Sequence, residues 1–161
     1  MYVASAQTEA GYVKYTLFIS NGTLKAGNVV VTGNALPVCV TYDPQNGYIY
    51  VADELFNSVS VINGATNRIA ATVQVGSKPV GLAYDSQNGY IYVANSGSDS
   101  ISVINGANST VISTIPLETW PYGVLYDPQN GYIYVTRPGS SQVSVIDGAS
   151  NRVIVTLSVK S

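Results

Sequence analysis

Three aspartates recur at a fixed spacing and are the side chains best suited to chemistry. Asp43, Asp85 and Asp127 lie 42 residues apart, each inside the sequence Asp-x-Gln-Asn-Gly. Carboxylates act as general acids and bases or as ligands of hard cations. Aspartate also hydrogen-bonds its own backbone in turns, and Asn-Gly supplies residues with positive φ. Because a catalytic site needs one such carboxylate and not three copies, we predict that these aspartates form turns.

The absence of histidine removes whole classes of active site. The chain has no His and one Cys, which excludes Ser-His-Asp and Cys-His arrangements and zinc sites built on two histidines. The loop richest in oxygen ligands, residues 95–100, carries one carboxylate, whereas calcium loops concentrate several. We therefore expect that the chain is not an enzyme and that it holds no metal and no cofactor.

Composition excludes further classes of partner. Charged residues make up 10% of the 161 residues and the net charge is −2, against about 25% charged in an average soluble domain. The seven Lys and Arg residues are scattered, whereas nucleic-acid binding requires clustered positive charge. No apolar run reaches the length of a membrane span. We expect no nucleic acid and no membrane span.

The aspartate turns belong to a longer repeat. Tyr42, Tyr84 and Tyr126 each begin a copy of Tyr-Asp-x-Gln-Asn-Gly-Tyr-Ile-Tyr-Val, again 42 residues apart. A period of this size is typical of repeat architectures. In the middle copy, short runs of strand-forming residues are separated by turn residues; they lie at 79–84, 89–94, 101–104 and 110–115. Four short strands with hairpin signals predict an antiparallel meander.

Both faces of the predicted sheets are apolar. In residues 90–93, Tyr alternates with Ile and Val, whereas a sheet wetted on one face alternates apolar with polar residues. Sheets covered on both sides at a period near forty residues are typical of β-propeller blades. We therefore predict an all-β propeller of four-stranded antiparallel blades, with three full blades and most of a fourth.

The predicted boundaries follow the repeat. Residues 1–161 form one propeller unit, divided into a degenerate partial blade and three full blades at 1–36, 37–78, 79–120 and 121–161. Within the degenerate blade, comparison with the later copies predicts strands at 1–4, 17–22 and 27–31, with an irregular insertion over 6–11.

The repeat resembles a known family. Tyr92-Val93-Ala94-Asn95, with Pro79-Val80-Gly81 and Ser102-Val103-Ile104, is similar to the YVTN-type β-propeller repeat of surface-layer and other secreted proteins of archaea and bacteria. The resemblance implies a blade scaffold and an extracellular or cell-surface location. It covers residues 37–161 well and 1–36 poorly. Enzymes that resemble this family, such as streptogramin lyases, rely on histidine, which this chain lacks.

The number of blades leaves three ways to complete a ring. Propellers use about four to eight blades, and the resemblance implies about seven. The chain is then a fragment or open arc of a longer propeller, a small four-bladed ring, or half of a ring that two chains complete. An unpaired blade edge favours strand addition from another chain, so a second copy is one predicted partner.

Comparison between the copies predicts a binding face. Turns after the first and third strands are nearly identical, whereas loops after the second and fourth strands differ every time. Binding residues gather on loops of a rigid scaffold, and Trp, Phe and Arg are common anchors. The charged and aromatic residues of the variable loops are therefore the predicted contacts: Asp53, Glu54, Phe56, Lys78, Glu118, Trp120 and Arg137. The alternative is variation without function, with Trp120 packed between blades.

These observations lead to one leading function and two alternatives. We expect a non-enzymatic, extracytoplasmic scaffold or binding module that contacts a protein or glycan through the variable loops. The alternatives are part of a larger propeller enzyme or cofactor-binding protein with catalytic residues in other blades, and a structural array element without ligand. Two glycosylation sequons, at Asn21 and Asn108, fit an extracellular location, although the first residues do not read as a signal peptide.

Overall fold

A computed structural model describes residues 35–159 together with three earlier strands, at 6–9, 12–16 and 28–32. These strands, β1 (Ala6–Glu9), β2 (Tyr12–Thr16) and β3 (Asn28–Thr32), pair antiparallel in chain order. The last agrees with the strand predicted at 27–31. The predicted insertion over 6–11 is wrong, because β1 pairs with a β2 rich in aromatic and β-branched residues. The strands predicted at 1–4 and 17–22 lie outside the described residues.

Three four-stranded sheets follow, and each is an antiparallel meander. Blade 1 consists of β4 (Pro37–Asp43), β5 (Tyr48–Asp53), β6 (Ser58–Asn63) and β7 (Arg68–Gln74). Blade 2 consists of β8 (Pro79–Asp85), β9 (Tyr90–Asn95), β10 (Ser100–Asn105) and β11 (Thr110–Pro116). Blade 3 consists of β12 (Val124–Asp127), β13 (Tyr132–Arg137), β14 (Gln142–Asp147) and β15 (Arg152–Ser158). The predicted four-stranded blades are confirmed.

The blades stack face to face through their apolar side chains. The first strand of blade 2, β8, packs against the first strands of both neighbours, β4 and β12. One buried cluster joins blade 1 to blade 2 through residues such as Tyr50 and Ile91, and a second joins blade 2 to blade 3 through residues such as Tyr92 and Ile133. Each such side chain contributes about 1.5–3 kcal/mol on burial, which explains why both faces are apolar.

The aspartate turns are formed as predicted. In the middle copy, the Gln87 backbone N–H donates to Asp85 Oδ1 at 2.8 Å, and the Gly89 N–H donates to the Asp85 carbonyl at 2.9 Å. Gly89 has a φ of +69°, the left-handed region that glycine adopts without strain. The equivalent aspartates, Asp43 and Asp127, accept the same backbone bond. The turn role of all three carboxylates is confirmed.

The first strand of blade 3 is shorter than the sequence predicts. The third full blade is predicted to begin at residue 121, as the middle one begins at residue 79, but β12 begins at Val124. The Tyr122 N–H donates to the Thr136 carbonyl and the Gly123 N–H donates to Thr136 Oγ1, so a side chain interrupts the regular ladder. At the same place, the pairing of β4 with β5 and of β8 with β9 shifts register. Blades 1 and 2 therefore have a bulge here, whereas in blade 3 the Thr136 side chain takes part in the pairing.

Helical structure is minimal. In residues 35–159 it amounts to a 3₁₀ turn at Pro138–Ser140. No helix among the residues that the structure describes is long and apolar enough to cross a membrane.

Candidate functional site

Each blade has two edges with different sequences. The turn edge comprises the turns after the first and third strands, and the loop edge comprises the loops after the second and fourth strands. At the turn edge, side chains cross from one blade to the next: Asn46 Nδ2 donates to the Gly106 carbonyl at 3.0 Å, and Asn88 Nδ2 donates to the Gly148 carbonyl at 3.3 Å. The near-identical turns therefore hold neighbouring blades together.

Buried tyrosines reinforce the turn edge. The Tyr50 hydroxyl donates to the Gly106 carbonyl at 3.2 Å, and the Tyr92 hydroxyl donates to Asn151 Oδ1 at 2.6 Å. Burial, and then the nearby Asp85 carboxylate, raise the pKa of Tyr92. Burial, and then the Asp43 carboxylate, likewise raise the pKa of Tyr84. Among the described residues, the Tyr84 hydroxyl forms no hydrogen bond of standard geometry. The side chains of Tyr84 and Tyr92 therefore stay neutral and have a structural role.

At the loop edge, equivalent positions carry different chemistry. The second strands end at Asp53, Asn95 and Arg137, which are 6%, 0% and 1% exposed. Asp53 Oδ1 accepts from the backbone N–H groups of Leu36 and Phe56. Thus one backbone position holds an anion, an amide and a cation in successive blades. Two of these buried residues, Asp53 and Arg137, were predicted as contacts.

The first group of predicted contacts lies on the loops of blade 1. Phe56 is 53% exposed, Glu54 is half-buried and Lys78 is exposed. The Lys78 backbone N–H donates to Asn57 Oδ1 at 2.9 Å, which joins the loop after β7 to the loop after β5. The structure therefore brings these residues onto one surface, with Asp53 beneath it.

The second group lies between blades 2 and 3. Arg137 Nη1 forms an ion pair with Glu118 Oε2 at 3.6 Å, and the Glu118 side chain is 86% exposed. Trp120 keeps 42% of its surface exposed, meets Tyr122 edge to face at 6.4 Å, and lies close to the following loop. A Cβ at Gly139 would lie 2.5 Å from the Trp120 Nε1, so this packing requires glycine.

Two cavities open at equivalent places on the loop edge. The serine pocket, between blades 1 and 2, has a volume of about 670 Å³ and a neutral polar lining that includes Gln74, Ser98, Ser100, Ser102 and Thr114. The arginine pocket, between blades 2 and 3, has a volume of about 330 Å³ and is lined by Leu117, Glu118, Arg137, Ser144, Val153 and Thr156. The sequence comparison missed the serines, because Ser102 and Ser144 are identical between copies and resemble scaffold.

The arginine pocket contains buried polar groups that stay unsatisfied in the described part of the chain, and blade 2 has one such group at the position equivalent to Arg137. Asn95 Nδ2 donates to Ser102 Oγ at 2.9 Å, but Asn95 Oδ1 has no partner there. Arg137 Nη2 donates to Gln142 Oε1, but Arg137 Nε and Ser144 Oγ have none. Leaving a buried polar group unpaired costs free energy, so such groups are candidates for bonding to a ligand. The serine pocket suits a neutral polar ligand and the arginine pocket an anion.

Possible metal ligands are not clustered in the described residues. The described residues include no group of three or more Asp, Glu or Cys side chains arranged to hold a metal ion, and the sequence has no histidine.

Several solved structures are similar to this chain. The chain is similar to hydrazine synthase from Kuenenia stuttgartiensis (TM-score 0.72, 24% identity, 77% of this chain). It is also similar to the dihydro-heme d1 dehydrogenase NirN in complex with DHE (TM-score 0.73, 11%, 99%) and to the WD40 repeats of RRP9 (TM-score 0.70, 16%, 80%). The fold is a β-propeller. The chain spans only 36%, 35% and 40% of those three chains.

The sequence itself has no such match. No family model matches it, and neither does any curated protein.

One expectation from the sequence needs correction. We expected the chain not to be an enzyme, and this is wrong: the propeller structures that it resembles include a synthase and a dehydrogenase. The lack of histidine excludes particular active sites built from this chain alone. It does not exclude catalysis in a propeller, because a site at the ring can combine residues from several blades.

Proposed function

We propose that this chain is a YVTN-type β-propeller module that binds a protein or glycan partner through its loop edge. The observation that carries this proposal is that the two edges have different roles. Side chains of the turn edge bond one blade to the next, whereas the loop edge holds two pockets, one of which is lined by buried polar groups without a partner among the described residues. A rigid scaffold with variable loops is the usual arrangement of a recognition surface.

Exposed anchors flank these pockets. Phe56 and Trp120 are 53% and 42% exposed, and charged side chains, Lys78 and Glu118, lie on the same loops. Aromatic residues dominate binding energy where a partner covers them. The loop edge therefore combines apolar anchors, charges and concave sites.

The test uses a double variant, Phe56→Ala with Trp120→Ala, as bait against native envelope extract and a glycan array. We expect partners captured by the natural chain to be lost. The matched control is Ile112→Ala with Ile154→Ala, which removes comparably exposed apolar side chains, 44% and 49%, from the outer strands. Unchanged capture by the loop variant would overturn the proposal.

A second candidate function is part of a larger propeller enzyme or cofactor-binding protein. It is favoured by the likeness to hydrazine synthase and NirN, of which the chain spans about a third. In that case blades outside this chain supply the reacting groups, and its loop edge supplies binding groups such as Arg137. The complete reading frame tests this: further repeats that contain histidine would support it, and their absence would remove its basis.

The outer face of blade 3 points to a further blade. Leu125 and Leu157 are 63% and 48% exposed there, and Tyr134 and Asn130 bond to each other. Their counterparts in blades 1 and 2 bond to the next blade. We propose that residues 1–161 form one propeller unit whose ring is completed by another blade, from a longer chain or from a second copy.

Light scattering coupled to size exclusion distinguishes these sources. A sharp dimer whose dissociation follows Leu125→Asp would identify a second copy as the partner. A monomer that the same substitution leaves unchanged would assign the face to further blades of the same chain. Leu55→Asp, at a loop residue that is 58% exposed, is the control.

We propose an extracellular or cell-surface location, as for the proteins that the repeat resembles. The Asn108 sequon lies in an exposed turn between β10 and β11, where Thr110 Oγ1 donates to Asn108 Oδ1 at 2.7 Å. Asn21 lies outside the described residues. Fractionation of the native host tests the location, and a mass shift lost on Asn108→Gln tests the glycan. Recovery from the cytoplasm alone would contradict the proposal.

A further inference from the structure

We propose that the arginine pocket binds the carboxylate of a small organic acid. This inference rests on the proposed function of the loop edge and names the ligand chemistry of one of its sites. Three observations carry it: a buried guanidinium with an unused donor, a buried hydroxyl beside it, and an exposed carboxylate that a ligand can replace.

The guanidinium of Arg137 is the centre of the pocket. It is 1% exposed, and arginine stays protonated in proteins. A buried charge is costly unless it is paired. Gln142 Oε1 accepts from Nη2, but Nε has no acceptor within the described residues. The chain thus positions the cation through Gln142 and leaves one of its donors aimed at no protein group.

Glu118 does not neutralise this cation firmly. Its carboxylate lies 3.6 Å from Arg137 Nη1, and its side chain is 86% exposed. A carboxylate that stays this exposed is screened by water, so the ion pair at this distance holds it only loosely. Glu118 is therefore a weak internal competitor that can swing into solvent when a ligand carboxylate enters.

Ser144 supplies a second donor. It is 1% exposed, lines the same pocket, and its Oγ has no partner in the described part. In the serine pocket the equivalent Ser102 accepts from Asn95 Nδ2 at 2.9 Å and from the Gly76 N–H at 3.4 Å. In blade 3 Arg137 and Glu118 stand at the positions of Asn95 and Gly76, and the Ser144 hydroxyl receives neither of these bonds.

These donors select a carboxylate. An N–H and an O–H that line the same small pocket suit a ligand with two acceptor oxygens, and hydrogen bonds from a guanidinium to an anion are stronger than those between neutral groups. With Glu118 displaced, the charged lining is one guanidinium, which matches a monoanion. Leu117 and Val153 form an apolar wall, and about 330 Å³ is at the small end of ligand sites. A small acid with an uncharged body fits.

The test compares glucuronate with glucose, which share a ring and differ in the carboxylate, by calorimetry on the full chain. N-acetylalanine, an amino-acid derivative with one carboxylate, and sulfate extend the set. We expect glucuronate or N-acetylalanine to bind and glucose not to bind. The tighter of the two acids identifies a sugar acid or an amino-acid carboxylate as the source. Equal binding of glucose, or tighter binding of sulfate than of either acid, would overturn the assignment.

Variants separate the roles of the pocket residues. Glu118→Gln should tighten acid binding several-fold, because the internal competitor is gone. Ser144→Ala should weaken it roughly tenfold, the loss of one charge-assisted hydrogen bond. Arg137→Gln should abolish it, with circular dichroism as a check on folding. Asn95→Ala, at the equivalent position of blade 2, is the matched control and should leave acid binding unchanged. Unaltered affinity in both Glu118→Gln and Ser144→Ala would contradict the proposal even if Arg137→Gln fails to fold.

Failure of this inference is distinguishable from failure of the proposed function. If the Phe56 and Trp120 variant loses its partner while no acid binds the natural chain, the pocket assignment alone is wrong. If acids bind as expected while the partner is retained by that variant, the proposed function alone is wrong.

Discussion

The turn edge and the loop edge are built from the same strands, yet only one of them repeats its side chains. At the turn edge, asparagine and tyrosine side chains bond across each blade boundary. At the loop edge, backbone groups do the equivalent work within each blade: the N–H groups of Val75, Leu117 and Val159 donate to the carbonyls of Asn57, Asp99 and Ser141 at 2.8–2.9 Å. Because backbone hydrogen bonds hold the loop edge together, its side chains can differ between blades.

The acceptors of these loop-edge bonds show why variation is tolerated. Asn57, Asp99 and Ser141 have φ values of 53°, 46° and 53°, a left-handed conformation that short polar residues adopt at modest cost. At these loop-edge positions the hydrogen bond requires only a left-handed backbone, which several residue types can adopt. At the turn edge the hydrogen bonds require particular side chains, namely asparagine and tyrosine. The following predictions compare the two edges.

The largest effect is expected from loss of a turn-edge carboxylate. Asp85 is fully buried, accepts from Gln87 and Asn88, and lies beside the Tyr126 hydroxyl. Asp85→Ala should therefore lower the free energy of unfolding by about 3 kcal/mol. Asp127→Ala, in the same turn of blade 3 but only half-buried, should cost about 1 kcal/mol. Urea denaturation measures both; equal losses would show that the next blade contributes nothing.

A glycine exchange tests the close approach of blades at the turn edge. A Cβ at Gly106 would lie 2.7 Å from the Gly89 carbonyl and 2.8 Å from Asp43 Oδ2, so Gly106→Ala should cost about 2 kcal/mol. On the loop edge a Cβ at Gly97 would lie 3.1 Å from both Lys78 Cγ and Ser77 Cβ, which belong to exposed residues and need to move by only a few tenths of an ångström. Gly97→Ala should change stability by less than about 0.5 kcal/mol. Similar midpoints for both variants would refute the distinction.

Removal of a tyrosine hydroxyl sharpens the comparison within the turn edge. Tyr92 is fully buried and donates to Asn151 of the next blade. Tyr92→Phe should cost about 1 kcal/mol. The equivalent Tyr134 is half-buried and accepts from Asn130 of its own blade, so Tyr134→Phe should stay within about 0.5 kcal/mol. Thermal unfolding measures the pair, and a larger loss from Tyr134→Phe would count against the role of the boundary.

Alkaline pH should weaken the turn edge gradually. Burial and neighbouring carboxylates raise the pKa of Tyr84 and Tyr92 in the folded chain, whereas unfolded tyrosine titrates near about pH 10. The folded chain therefore retains more protons above that value, so the contribution of these tyrosines to stability is complete below about pH 10 and decreases as the pH rises further. Urea midpoints measured from pH 8 to 11 test this. Tyr84→Phe should flatten the decline, and an unchanged slope would contradict it.

Much of the fold could be predicted because its signals are local. Asp-x-Gln-Asn-Gly forms its turn with backbone groups two to four residues away, and alternating Tyr and Ile mark strands whose faces are both covered. The late start of β12 could not be predicted, because it depends on Thr136 from the next strand. The strand at Ala6–Glu9 was missed because its copy does not follow the repeat.

The candidate site was predicted only by position. Comparison of copies identified the loops that vary, and Phe56, Lys78, Glu118 and Trp120 lie exposed on them. The pockets and their serines were not found, since identical serines give no signal of variation.

The sequence alone determined the period, the turns and the pairing of strands inside each blade, because these depend on residues close together in the chain. Only the tertiary structure decided which loop residues are accessible. Asp53 and Arg137 appear in variable loops like Phe56, yet they are 6% and 1% exposed. Their burial is produced partly by segments that come from a neighbouring repeat, and no local pattern encodes that contact. The same stacking creates the pockets, because they lie where neighbouring blades meet.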